Sequence, residues 1–162
     1  MEEELRTEHT ASGEQDTGNG SDMSGPDFMR TMDSAFHLPE RDWSQYSPLA
    51  LAWLGDTVCD MAVRTALIKK GNRQAEKLHR EASSLVNARA QARQMERILP
   101  LLSEEEEAIF RRGRNASPPH TAKNADRADY LTATGFECLL GYLYLEGRYQ
   151  RIAELMQGLL QE

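Results

Sequence analysis

Three carboxylates stand where carboxylates are costly. Asp56 lies in the middle of the apolar run Leu51-Ala52-Trp53-Leu54-Gly55-Asp56-Thr57-Val58-Cys59, and Asp60 follows one helical turn later on the same face. Glu137 sits likewise inside Gly135-Phe136-Glu137-Cys138-Leu139-Leu140-Gly141. A carboxylate among apolar neighbours is expensive unless it is paired with a base or bound to a cation. Two outcomes fit these acids: each meets an arginine or caps a helix, or they serve a site.

Bases are concentrated as well. Between Arg64 and Arg97 nine of them (Arg64, Lys69, Lys70, Arg73, Lys77, Arg80, Arg89, Arg93, Arg97) stand against Glu76, Glu81 and Glu96, a local charge of +6. Such a run serves either as a solvated helix face or as a surface that tracks phosphates. Arg111-Arg112-Gly113-Arg114-Asn115-Ala116 leads into a polar loop with His120 and Lys123. Clustered arginine beside glycine suits a grip on a nucleic-acid backbone, and equally the negative end of a helix dipole. His37, His79 and His120 lack metal-ligand spacing, and His9 is remote from them.

The elements that must position these residues read as helices throughout. Ser47-Pro48 is an N-cap followed by proline at the first helical position, and the run to Lys70 carries Leu51, Leu54, Val58, Met61, Ala62 and Leu67 on one side before Gly71. Further helices are expected over about Arg73–Ser83, from the N-cap Asn87 to Leu99, from the capping box Ser103-Glu104-Glu105-Glu106 to about Arg112, over about Ala128–Glu146 and over about Tyr149–Leu160. A loop from Gly113 to about Arg127 separates the last pair from the rest. No strand-like alternation stands out, so the fold class is all-α.

With 162 residues the chain suits one domain. Its net charge of −7 is unevenly spread: residues 1–40 hold two bases against ten acids, which leaves residues 41–162 at +1. The expected organisation is therefore an acidic leader and approach segment over 1–40 and a near-neutral domain over 41–162. Residues 1 to about 25 have almost no large apolar side chains and read as disordered. No apolar run nears the roughly 20 residues of a membrane span, and the start lacks the pattern of a signal or transit peptide. Cys59 and Cys138 both lie in apolar helical stretches, so neither a disulfide frame nor a zinc site is expected, and a reduced cytoplasmic setting fits.

These motifs together resemble a ribonuclease III catalytic domain. Ser47-Pro48-Leu49-Ala50-Leu51-Ala52-Trp53-Leu54-Gly55-Asp56, Leu78-His79, Arg112-Gly113-Arg114-Asn115-Ala116 and Gly141-Tyr142-Leu143-Tyr144-Leu145 are similar, more narrowly, to the Mini-ribonuclease III branch, which lacks a double-stranded-RNA-binding domain. The resemblance spans about Asp42 to Leu160. It implies a homodimeric helical bundle whose two subunits form a valley for duplex RNA. Mg²⁺-dependent hydrolysis would leave 5′-phosphate and 3′-hydroxyl ends, and the usual substrate is precursor large-subunit (23S) ribosomal RNA, with ribosomal precursor particles as further partners. By the same resemblance, Asp56 and Glu137 are the catalytic and metal-binding acids. The basic helices, with Arg80, Arg111, Arg112, Arg114 and Lys123, are the phosphate contacts, and the apolar residues around Trp53 and Leu54 form the dimer seam. Duplex RNA would be read chiefly by shape.

Two departures accompany the match. Full-length ribonuclease III carries carboxylates four residues before the signature aspartate and three before the glutamate; here those positions are Ala52 and Thr134. The expected site is thus reduced, with water replacing the lost ligands of a weakly held Mg²⁺. Asp60 is expected to be a surface or structural acid. A catalytically silent RNA- or ribosome-binding protein is the alternative, which the retention of two costly acids argues against. A helical interaction module without RNA contacts is a third reading, weakened by the basic stretch. The acidic leader reads as a solvated tail, or as a competitor for the basic valley.

Overall fold

In the computed structural model, which describes residues 26–116 and 124–161, every regular element among the described residues is a helix. They are α1 (Pro26–Phe36), α2 (Pro48–Lys70), α3 (Ala75–Val86), α4 (Ala88–Ile98), α5 (Glu104–Asn115), α6 (Asn124–Leu145) and α7 (Tyr149–Leu160), with single 3₁₀ turns at Trp43–Gln45 and Leu99–Leu101. No helix among them is long and apolar enough to cross a membrane.

Local chemistry sets most of the boundaries. Helix α2 begins at Pro48 after Ser47 and stops at Gly71, with Lys69 and Lys70 in its last turn where cations complement the dipole. The side chain of Asn87 accepts from the Ala90 N–H at 3.0 Å and so starts α4. Ser103 and Glu106 exchange the two bonds of a capping box at the head of α5. Helix α6 ends in a Schellman turn: Gly147 takes φ 70, the Arg148 N–H donates to the Leu143 carbonyl and the Gly147 N–H to that of Tyr144.

The bounds of three expected helices differ from expectation. Helix α3 starts at Ala75 and continues through Leu85 and Val86 until the Asn87 cap, because nothing between Ser83 and Asn87 stops it. Helices α5 and α6 both extend into the segment read as loop, to Asn115 and from Asn124. The approach segment holds a helix of its own, α1. It rests on the bundle through Met29, whose sulfur accepts from the Tyr144 hydroxyl, and ends where His37 adopts φ 52 and the Leu38 N–H reaches the Asp33 carbonyl. The leader read as disordered lies outside the described residues.

Helix α6 is the axis of the bundle and packs most extensively against α2, then α5 and α4. Its apolar residues run around the whole circumference; Phe136, Leu139, Leu140 and Leu143 are fully buried, as befits a helix enclosed by others. It meets α2 at two glycines. A Cβ on Gly55 would lie 1.7 Å from the Glu137 carbonyl oxygen, and one on Gly141 would lie 2.0 Å from that of Leu51, so the backbones touch where side chains would hold them apart.

Candidate active site

The close crossing brings Asp56 and Glu137 together. Asp56 directly follows Gly55 on α2 and is exposed, whereas Glu137 lies on the facing turn of α6 and is only partly exposed. The Glu137 carboxyl is pushed up to about 7, chiefly by burial; a hydrogen bond from Gln91 opposes this, and the charge of Asp56 adds to it. Gln91, on α4, donates from Nε2 to Glu137 Oε1 at 3.2 Å. One turn along α2, Cys59 is buried, and burial together with the charges of Glu137, Asp56 and Asp60 lifts its thiol to about 12. It is therefore a packing residue, as is Cys138, lifted by burial to about 11.

The remaining acidic and acid-replacing positions do not join the pair. Asp60 is bound to Arg64 at 2.7 Å within its own helix. Ala52 is buried in the core, and the Thr134 hydroxyl donates to the Tyr130 carbonyl at 3.0 Å. Among the described residues no group of three or more His, Cys, Asp or Glu side chains is placed to hold a metal ion. What the described residues offer is an oxygen-only set of two carboxylates, and no base among them acts on the more buried one, Glu137. That set fits a hard divalent cation that keeps most of its waters, as Mg²⁺ does, and fits poorly a soft ion that needs several protein ligands.

The basic residues are more dispersed. Arg111 and Arg114 lie together at the end of α5, lining a cleft of about 520 Å³ with Glu96, Phe110 and Asn115, and Arg111 is also paired with Glu107. Arg80 stands apart on α3, exposed and 3.0 Å from Glu76. Arg112 is spent on the backbone: its guanidinium donates to the carbonyls of Ser44 and Tyr46 and clamps the 3₁₀ turn ahead of α2. Lys123 lies outside the described residues. Gln91 did not figure among the expected site residues. Its only sequence signal is a polar side chain on the face of α4 that buries Met95 and Ile98.

An exposed apolar stripe borders the acids on α2. Trp53 is 80 % exposed, and Leu49 and Met61 accompany it at helical spacing.

Known proteins resemble this arrangement in sequence and in fold. The model of the Ribonuclease III domain matches residues 49–148. A Mini-ribonuclease 3 of Brevibacillus brevis is 48 % identical over 117 residues, 72 % of this chain and 87 % of that protein. One from Enterococcus faecalis is 44 % identical over 118 residues, 72 % and 89 % of the two chains. A crystal structure of a Fusobacterium nucleatum protein matches with a TM-score of 0.66 at 26 % identity, covering 72 % of this chain and 93 % of that one.

Proposed function

The chain belongs to the ribonuclease III family and is an endoribonuclease, similar in sequence to Mini-ribonuclease 3 proteins; from that premise we propose that it cuts double-stranded RNA with Mg²⁺ at Asp56 and Glu137. The observation that carries this reading is the close approach of α2 and α6 at Gly55 and Gly141, which sets Asp56 near enough for its charge to raise the Glu137 carboxyl, with no base among the described residues acting on Glu137. Both acids lie within the matched family segment.

A divalent cation bound there supplies charge neutralisation at the scissile phosphate and an acidified water. The chain's own residues do the rest. Glu137, held by Gln91, and the solvent-facing Asp56 would hold the cation, directly or through its waters. Water adds to phosphorus and the bond to the 3′-oxygen breaks, which leaves a 5′-phosphate on one product and a 3′-hydroxyl on the other. The phosphate contacts are Arg80, Arg111 and Arg114, with Lys123, while Arg112 acts through the turn it clamps.

The Trp53 stripe beside Asp56 supports a homodimer, in which each subunit cuts one strand. Precursor large-subunit (23S) ribosomal RNA, alone or in a precursor particle, is the proposed substrate, and the cytoplasm the proposed compartment. The deciding experiment is cleavage of a labelled RNA duplex with Mg²⁺ by the wild-type chain beside Asp56→Asn. Cuts that vanish in the variant while RNA binding persists are expected. RNA binding with no cutting by the wild type at any divalent concentration would favour a silent RNA-binding protein, as the loss of acids at Ala52 and Thr134 suggests.

A further inference from the structure

We propose that Gln91 is a positioning residue for divalent-cation binding: its buried amide fixes the Glu137 carboxylate in its cation-accepting pose. This rests on the reading of Asp56 and Glu137 as the metal site. Gln91 is 1 % exposed. Its Nε2 has two protons and two acceptors, the Val86 carbonyl at 2.9 Å and Glu137 Oε1 at 3.2 Å. The first bond anchors the amide to the end of α3, one residue before the Asn87 cap that starts α4. The second reaches across to α6. One carboxylate oxygen is therefore tied before any ion arrives, and Oε2 is left to face a cation or its water. A glutamate restrained in advance loses less freedom on binding than a mobile one.

The amide oxygen supports this reading. Gln91 Oε1 is buried and has no hydrogen-bond partner among the described residues. A side chain present only to fill space would do better without it, since an unsatisfied buried acceptor is costly. The cost is explained if the N–H toward Glu137 is what the position requires. Gln94, three residues on, makes the contrast. It is equally buried with an unpartnered Oε1, but its Nε2 donates to the Leu155 carbonyl and joins α4 to α7, away from the acids.

The test measures Mn²⁺ binding without RNA, from the electron paramagnetic resonance signal of the free ion, for wild type, Gln91→Met, Gln94→Met and Asp56→Asn. Loss of a group that orients a metal ligand typically weakens the metal about 10–100-fold. Gln91→Met is accordingly expected to bind Mn²⁺ at least about tenfold more weakly, and to need correspondingly more Mg²⁺ for half-maximal cutting. At saturating Mg²⁺ its rate should move back toward wild type. Gln94→Met should lower Tm and leave Mn²⁺ affinity unchanged. Wild-type affinity in a folded Gln91→Met overturns the proposal, and so does an equal loss in both glutamine variants. Should Gln91→Met fail to fold, the wild-type chain decides: the Gln91 side-chain amide resonances should shift on saturation with Mg²⁺ and stay put in Asp56→Asn, and an amide indifferent to Mg²⁺ overturns the idea. A wild type that binds Mn²⁺ no better than Asp56→Asn removes the metal site itself, a separate result from a working site that does not need Gln91.

Discussion

At alkaline pH the Glu137 carboxylate is charged in surroundings that resist the charge. Its carboxyl titrates near 7 in the folded chain against 4.5 for a free glutamate, so folding favours the protonated form. The stability linked to this group is fully present below about 4.5 and is lost as pH rises to about 7, above which the penalty is constant. Glu137→Gln keeps the shape and an acceptor for Gln91 while removing the charge. In metal-free protein at pH 8 it should stabilise the fold by on the order of 2 kcal/mol and raise Tm by roughly 5 °C. The same substitution should abolish cleavage. Thermal melts at pH 5 and pH 8 check this: the gain should shrink at the lower pH, and a variant less stable than wild type at both would contradict it. Glu106 is the opposite case. It is 1 % exposed, and Arg151 and Arg148 donate to it at 2.9 Å and 3.0 Å. Its carboxyl is lowered first by the Arg151 hydrogen bond, against desolvation. Its stabilisation is present above the ordinary carboxylate range and is lost as pH falls through the depressed value. Glu106→Gln should cost about 3–5 kcal/mol at pH 7, by leaving two guanidinium groups short of a partner, and the deficit should narrow in acid.

Between elements, the crossing of α2 and α6 decides whether there is a site. In an ordinary helix interior Gly→Ala is favourable by about 1 kcal/mol. At Gly55 that gain is overwhelmed, because the new methyl would meet the Glu137 backbone carbonyl, which has no flexible side chain to move aside. Gly55→Ala should therefore destabilise by about 3 kcal/mol or more, and whatever folds should have lost cleavage as the helices separate and carry Asp56 from Glu137. Urea denaturation together with a cleavage assay checks this, and a fully active, stable Gly55→Ala would show that the approach is looser. The buried Glu106 network acts at the same scale: it links α5 to α7, with Arg151 also donating to the Leu101 carbonyl at 2.8 Å.

For the molecule as a whole, the question is whether the proposed homodimer covers Trp53. A large ring 80 % exposed on the helix that carries Asp56 contributes little to the fold of a single subunit. Trp53→Glu should leave Tm nearly unchanged and, on the proposed homodimer with its seam at Trp53, shift sedimentation from dimer to monomer. Duplex cutting should fall with it, since one subunit offers one site for two strands. A variant that sediments like wild type would place any seam elsewhere. The charge of the basic stretch is partly compensated by ion pairs, Arg64 with Asp60 and Arg80 with Glu76, but these are exposed pairs of small worth that a phosphate can displace.

Much of the architecture was written locally. Asn87, the Ser103–Glu106 box and the Ser47-Pro48 start act over three or four residues, so α2, α4 and α5 were legible at their N-termini. Asp56 and Glu137 stood out as candidates because a charge inside an apolar run is conspicuous wherever the chain goes, and of the two only Glu137 is held partly out of solvent. Helix α1 was not legible, since its inward face is a few residues whose partner, Tyr144, lies 115 positions away. Nor was the role of Gln91, whose acceptor is 46 positions distant, or the commitment of Arg112 to carbonyls 66 and 68 positions back. The sequence by itself determined which segments would coil and that Glu137 would stand among apolar neighbours, whereas Asp56 proved exposed and Asp60 paired with Arg64. Only the tertiary structure decided how closely two helices could approach and which polar groups were left facing one another, because both depend on contacts between residues far apart in the chain.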